Sequence, residues 1–143
     1  MSHRFIEEEA TADVAFEATG RDLPEVFRSA VDAVVNVMIE NYLEIEPAES
    51  RTIEAESEEL DLLLFDLLQS IVYYKDAEQL LLRLKAATVE RTDSLWRLRA
   101  EAKGEVLDLE RHRQWADVKA VTLHDFRLQQ FENGWRAHVI VDV

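Results

Sequence analysis

Two aspartates stand at the ends of apolar, alternating segments. Asp13 heads the run Asp13-Val-Ala-Phe-Glu-Ala-Thr19, and Asp142 comes one residue before the terminal carboxylate of Val143. Chain ends are often close in space, and strand pairing can bring these two together. Two carboxylates with carbonyl or terminal carboxylate oxygens make a hard, all-oxygen donor set of the kind Ca²⁺, Mg²⁺ or Mn²⁺ takes. Without a cation, like charges held close repel each other. The plainer alternative is a pair of solvated strand-end acids. A third carboxylate, Asp66, interrupts an apolar run between Phe65 and Leu67. A buried carboxylate needs a donor, a metal or water, so a hydrogen-bonded structural aspartate is the expectation there. His112, Lys119 and His124 lie in or beside an irregular stretch; they could line one surface together or be ordinary exposed polar residues.

Other chemistries lack support. The four histidines, His3, His112, His124 and His138, show no His-Glu-x-x-His or comparable close spacing, so a zinc site has no local basis. No serine sits in a nucleophile elbow, and Gly104 and Gly134 are too isolated for a phosphate-binding loop. Cysteine is absent, which excludes disulfides, thiolate metal sites and cysteine nucleophiles. Trp115, in a charged segment, is a candidate anchor for a protein partner, with packing as the competing role.

The elements that must position these residues are legible in outline. Asp13 to Thr19 alternates with period two and reads as a half-buried strand. Asp22, three residues before Glu25 and with Pro24 in the first turn, predicts an N-cap with a reciprocal carboxylate. Apolar residues then recur at helical spacing to about Glu40, giving an amphipathic helix docked on a sheet. Arg51 to Ser57 reads as a strand, and Ser57 as the cap of a second helix whose stretch from Leu60 to Tyr74 is apolar nearly all round and should be buried on several sides. Leu80, Leu82 and Leu84 open another strand. Arg91 to Ser94 reads as a turn before a strand carrying Trp96, Leu98, Ala100 and Ala102 on one face, and Gly104 to Ala116 as irregular. Asn133-Gly134 is a type I′ hairpin signal that would pair Leu128 with Val139 and Phe126 with Val141. The resulting expectation is an α+β domain, two helices packed on a largely antiparallel sheet, with residues 1–143 forming one domain.

Composition narrows the functional classes. Of 143 residues, 30 are acidic and 16 basic, a formal charge of −14. Such a field repels a phosphate backbone, whose binding depends on cationic neutralisation, so direct nucleic-acid binding is not expected. A basic protein partner or a bound cation fits better. Met1 to Glu9 has no apolar leader, and the run Leu60 to Tyr74 is too short and too polar to span a bilayer; a cytoplasmic protein with no membrane partner is the expectation.

The same residues carry a resemblance. Thr11-Ala-Asp13 following Glu9, the leucine-rich Leu64-Phe-Asp66-Leu-Leu, Gly104-Glu105, Glu110-Arg-His112, Asp117-Val-Lys-Ala-Val-Thr-Leu-His124, Gly134-Trp-Arg-Ala and the ending Val139-Ile-Val-Asp-Val143 fall in the order and spacing of the archease family. The chain departs from that pattern at Ala10, where a histidine is usual, and at Leu123, where an aromatic is usual. The resemblance implies a protein cofactor, not itself an enzyme, of the GTP-dependent RNA-splicing ligase active in tRNA splicing and RNA repair. Such a cofactor promotes guanylylation of the ligase and its repeated turnover. It also implies a divalent-cation site mapping onto Asp13, Asp142 and Val143, with Asp66, His112, Lys119 and His124 as site-supporting or partner-facing residues. The competing functions are a general chaperone or modulator of an RNA-modifying methyltransferase, and, with less support, a metal-dependent hydrolase using Asp13 and Asp142.

Overall fold

The computed structural model describes residues 2–6 and 13–143. In chain order the elements are β1 (Ser2–Ile6), β2 (Asp13–Gly20), α1 (Leu23–Met38), a 3-10 turn (Tyr42–Glu44), β3 (Glu49–Ser57), α2 (Leu60–Glu78), β4 (Leu80–Thr92), β5 (Leu95–Val106), β6 (Ala120–Phe131) and β7 (Gly134–Asp142). This is the expected α+β arrangement, two helices packed on antiparallel strands. The strands, however, divide between two sheets, one ordered β1-β2-β7-β6 and the other β3-β5-β4. The division was not legible because alternation identifies a strand and its inner face but not its neighbours. β1 also escaped the sequence reading, because it is a short edge strand whose side chains are mostly exposed.

The two helices exchange the roles their compositions suggest. α1 packs against β2 and β1 of one sheet and β4 of the other. It is buried on nearly every side, including Ser29 and Asp32. α2 instead buries one stripe, Leu63, Leu64, Leu67, Leu68, Ile71 and Val72, and leaves Leu62 and Tyr73 exposed. That stripe recurs every four residues, as expected for a helix buried along one face, and it meets β3, β4 and β5 of one sheet and β6 of the other. Both helices contribute to a single cluster of buried apolar side chains that also takes in Phe16, Leu82, Leu98 and Val139.

The helix ends show how sequence signals resolve. Asp22 caps α1 by accepting the Glu25 N–H at 2.9 Å, while the Glu25 carboxylate reaches back to the Arg21 N–H, one residue before the position a reciprocal box would use. Ser57 accepts the Glu59 N–H at 3.2 Å, so it orders the turn before α2 and is not the cap itself. At the far end of α1, the carbonyls of Val37 and Met38 would lack helical partners. They accept N–H groups from Ala116 and Trp115, at 3.0 and 2.9 Å. The irregular segment between β5 and β6 is therefore the C-terminal cap of the central helix.

One hairpin is tighter than its signal suggested and the other is shifted along the chain. Thr92 pairs with Leu95, leaving Asp93 and Ser94 as the turn, with Asp93 left-handed at φ 59°. In the β6–β7 hairpin Phe131 pairs with Gly134, so the turn residues are Glu132 and Asn133. Leu128 then faces Ala137, not Val139, and a register break between Thr122 and Arg127 removes the expected Phe126–Val141 pair. The two-residue slip preserves which side chains face inward, since strand side chains alternate with period two. Gly134 is needed where it stands: an added Cβ would lie 2.3 Å from the Gly20 carbonyl.

Candidate functional site

β2 and β7 are central neighbours in their sheet, and their register sets Asp13 directly against Asp142. Directly opposed residues of an antiparallel pair project to the same face, with Cα atoms about 4.5–5.5 Å apart. Both aspartates are half-buried, as is Val143. On the other side of β7, Ala120 is the cross-strand partner of Asp142, and the Lys119 N–H donates to the Asp142 carbonyl at 2.8 Å. The main-chain oxygen of Asp142 is thereby occupied. The donors left at this corner are two carboxylates and the main-chain oxygen of Val143, all hard oxygens. They fit a cation of the calcium or magnesium class, and further oxygens would have to complete its shell. Among the described residues no group of three or more histidine or acidic side chains forms a metal cluster.

The remaining candidates scatter. Lys119 belongs to the corner through its backbone, and its side chain is exposed. Asp66 is exposed on the outer side of α2, which corrects the expectation of a buried acceptor; its carbonyl accepts the Ser70 hydroxyl at 3.0 Å. The buried aspartate is Asp32 instead, 6% exposed and held by Arg83 through two bonds of 2.8 and 3.0 Å. Its position between Val31 and Ala33 carried the same signal as Asp66 between Phe65 and Leu67. His124 lies in the register break of β6 beside left-handed Asp125, exposed and 3.6 Å from the Asp125 carboxylate. It is four residues along β6 from Ala120, about 13 Å at strand rise, and so stands apart from the aspartate pair.

His112 corrects the surface reading most clearly, being only 2% exposed. Its Nδ1 accepts the Asp108 N–H at 2.8 Å, which leaves the proton on Nε2 to donate to Glu105, 3.1 Å away. Burial pushes the Glu105 carboxyl up, but the Glu46 N–H, His112 and Arg111 outweigh it and hold it below the usual carboxylate range. Asn41 completes the arrangement by donating to the Arg111 carbonyl and accepting the Arg113 N–H, both at 2.9 Å. These bonds pin the segment that caps α1, so His112 is structural. Trp115, 54% exposed, meets Phe5 edge-on with ring centroids 5.5 Å apart. No helix among the described residues is long and apolar enough to cross a membrane.

The model of the Archease protein family matches residues 4–143. The chain belongs to the archease family. A relative named Protein archease, from Thermococcus gammatolerans, is 35% identical over 136 residues, covering 94% of this chain and 95% of that protein. The solution structure of Methanobacterium thermoautotrophicum protein 1598 superimposes with a TM-score of 0.84 at 33% identity, over 99% of this chain and 98% of that one. A Thermotoga maritima crystal structure, described as an archease and possible chaperone, shares the fold with a TM-score of 0.58 at 16% identity, over 96% of each chain. Of the archease-like segments, residues 9–12, including Ala10, lie outside the described residues; Asp13, Asp142 and Val143 lie within them.

Proposed function

We propose that the chain is a protein cofactor without catalytic activity of its own, one that activates an RNA-splicing ligase by promoting its guanylylation. The wider part of this reading, a chaperone-like protein acting on another protein, rests on membership of the archease family. The ligase as partner is what the archease resemblance implies, and the cation site proposed with it is supported by one observation, the direct cross-strand opposition of Asp13 and Asp142. An antiparallel pair of like charges is destabilising unless something of opposite sign lies against it. A divalent cation supplies that charge and would be held by Asp13, Asp142 and the Val143 main-chain oxygen. The register sets the two aspartates on the same face of the sheet, and the Lys119 N–H fixes the strand end that carries one of them. Because the shell is incomplete, the corner stays open for oxygens from water or from the ligase.

The test is guanylylation of the ligase from the same organism, with and without this protein. The wild-type chain should stimulate it, while Asp13→Ala and Asp142→Ala should fold normally and fail to stimulate. Full stimulation by both variants in chelated buffer would refute the cation mechanism. No stimulation by the wild type would refute the ligase reading altogether.

A further inference from the structure

A cavity of about 580 Å³ is lined by four cationic residues, Arg28, Arg83, Lys85 and Lys103. No carboxylate lines it, in a chain with nearly twice as many acids as bases. Arg83 and Lys103 are direct cross-strand partners on β4 and β5, a like-charge opposition that costs stability. Lys85 is the extra residue of a β-bulge, sitting unpaired between Leu84, opposite Ala102, and Ala86, opposite Glu101. A bulge re-aims a side chain at the expense of regular pairing, and here it adds a third cation to the other two. Arg28 enters from α1 and donates to the Lys85 carbonyl at 2.7 Å, which fixes the guanidinium without neutralising it.

Only Arg83 is balanced from within, by Asp32, and its guanidinium also lies 5.3 Å from the Tyr42 ring centre. It is a rigid wall. Glu101, two residues from Lys103 along β5, is engaged by Arg99 and Thr52. Among the described residues no acid pairs with Arg28, Lys85 or Lys103. A guanidinium with two flexible ammonium groups matches the several oxygens of a phosphate better than a single carboxylate. The volume is in the range of a small-molecule site and well beyond what one phosphate ion fills. Ile45 and Pro47 supply an apolar wall for the uncharged remainder of a ligand.

We propose that this cavity binds the phosphate of a small phosphorylated molecule of about mononucleotide size, with Arg28, Lys85 and Lys103 as its ligands. The site is distinct from the Asp13–Asp142 corner and does not depend on the function assigned to it. Phosphate is the recognised chemistry; inorganic pyrophosphate and adenosine 5′-triphosphate, both without divalent metal, separate the bare group from the group carrying a larger body.

Calorimetric titration at low salt should give saturable binding of both probes with Kd below about 1 mM, the nucleotide binding at least as tightly as pyrophosphate. Losing one charge-assisted contact is worth about tenfold, so Lys85→Ala and Lys103→Ala should each weaken binding by that factor or more. Lys103→Arg should retain it, and Arg97→Gln, on the same sheet outside the cavity, should bind as the wild type does. Lys85 is exposed, so its replacement leaves the fold in place, which circular dichroism checks. Amide shifts on titration should centre on Arg28, Lys85 and Lys103. Absence of saturable binding at 10 mM of either probe, unchanged affinity in both lysine-to-alanine variants, or shifts centred elsewhere would overturn the proposal, and weaker binding of the nucleotide than of pyrophosphate would overturn the assigned size.

Discussion

Asp13 faces Asp142 across one strand pair, and Arg83 faces Lys103 across another. Both are like-charge oppositions, but they are resolved differently. The basic pair is partly answered inside the fold, because Asp32 from α1 grips Arg83 with two bonds and is itself almost fully buried. The acidic pair is met by a lysine backbone N–H on a carbonyl, and among the described residues no cationic side chain pairs with either carboxylate. Glu105 gives a third case, a buried carboxylate whose charge is answered entirely by the chain's own donors. The comparison separates charges that hold the structure together from charges left for something outside it. Asp32, Arg83 and Glu105 belong to the first kind; Asp13, Asp142, Lys85 and Lys103 to the second.

The largest effect should come from removing an internal counter-charge. Asp32→Ala leaves Arg83 unpaired beside Lys103 and should cost about 3 kcal/mol in chemical denaturation, the usual penalty for orphaning one member of a buried pair. A loss below about 1 kcal/mol would show that the basic pair never needed its partner, and the contrast would break. His112→Ala withdraws a donor from buried Glu105 and should cost about 1–3 kcal/mol, with faster amide exchange at Trp115 and Ala116, whose N–H groups cap α1. Because Glu105 has its pKa lowered on folding, its contribution is present above the unfolded value, about 4.3, and is lost as pH falls through the lower folded value. Glu105→Gln should flatten the acid side of the stability profile in that window, and an unchanged profile would detach the carboxylate from the cap.

Neutralising one member of each outward-facing pair should have the opposite sign. Asp142→Asn in chelated buffer and Lys103→Gln without phosphate should each raise stability by about 0.5 kcal/mol at low salt, the scale of a cross-strand charge contact, with the gain shrinking as salt is added. Loss of stability in either would move that pair into the structural class. Smallest of all, Asp66→Ala should change stability by no more than about 0.5 kcal/mol, as an exposed helix residue should.

The contrast between Asp66 and Asp32 also marks where sequence reasoning stops. Each aspartate interrupts an apolar helix, and the sequence around Asp66 is the more hydrophobic. Burial follows how many faces of a helix are covered: both helices meet strands of both sheets, but α1 is buried nearly all round where α2 is buried along one stripe. Periodicity reports one face at a time, so it could not show that the remaining faces of α1 are covered and those of α2 are not. Most of the strands and the Asp22 cap depend on local pattern and were legible, whereas the pairing of Asp13 with Asp142 spans the sequence and could be read only as one outcome of strand pairing. His112 was not, because its burial comes from Glu105, Asp108 and the turn at Glu46, residues with no periodic relation to it. The bulge at Lys85 was equally hidden, since an extra residue in one strand is visible only against its partner's register.

The strand order β1-β2-β7-β6 has a consequence for biosynthesis. β2 emerges from the ribosome before either helix, and its partner β7 emerges after all the other strands described. Until then β2 has only the short β1 beside it, and α1 lacks part of the wall that encloses it. The second sheet, whose three strands are closer together in sequence, can assemble first; the first sheet closes late, through contacts of long sequence separation, the kind that make folding slow. Asp13 therefore waits through the synthesis of both helices and the whole second sheet for Asp142. The corner they form exists only in a chain that has been translated through β7, so a truncated product would carry the helices and the basic cavity but not the paired aspartates.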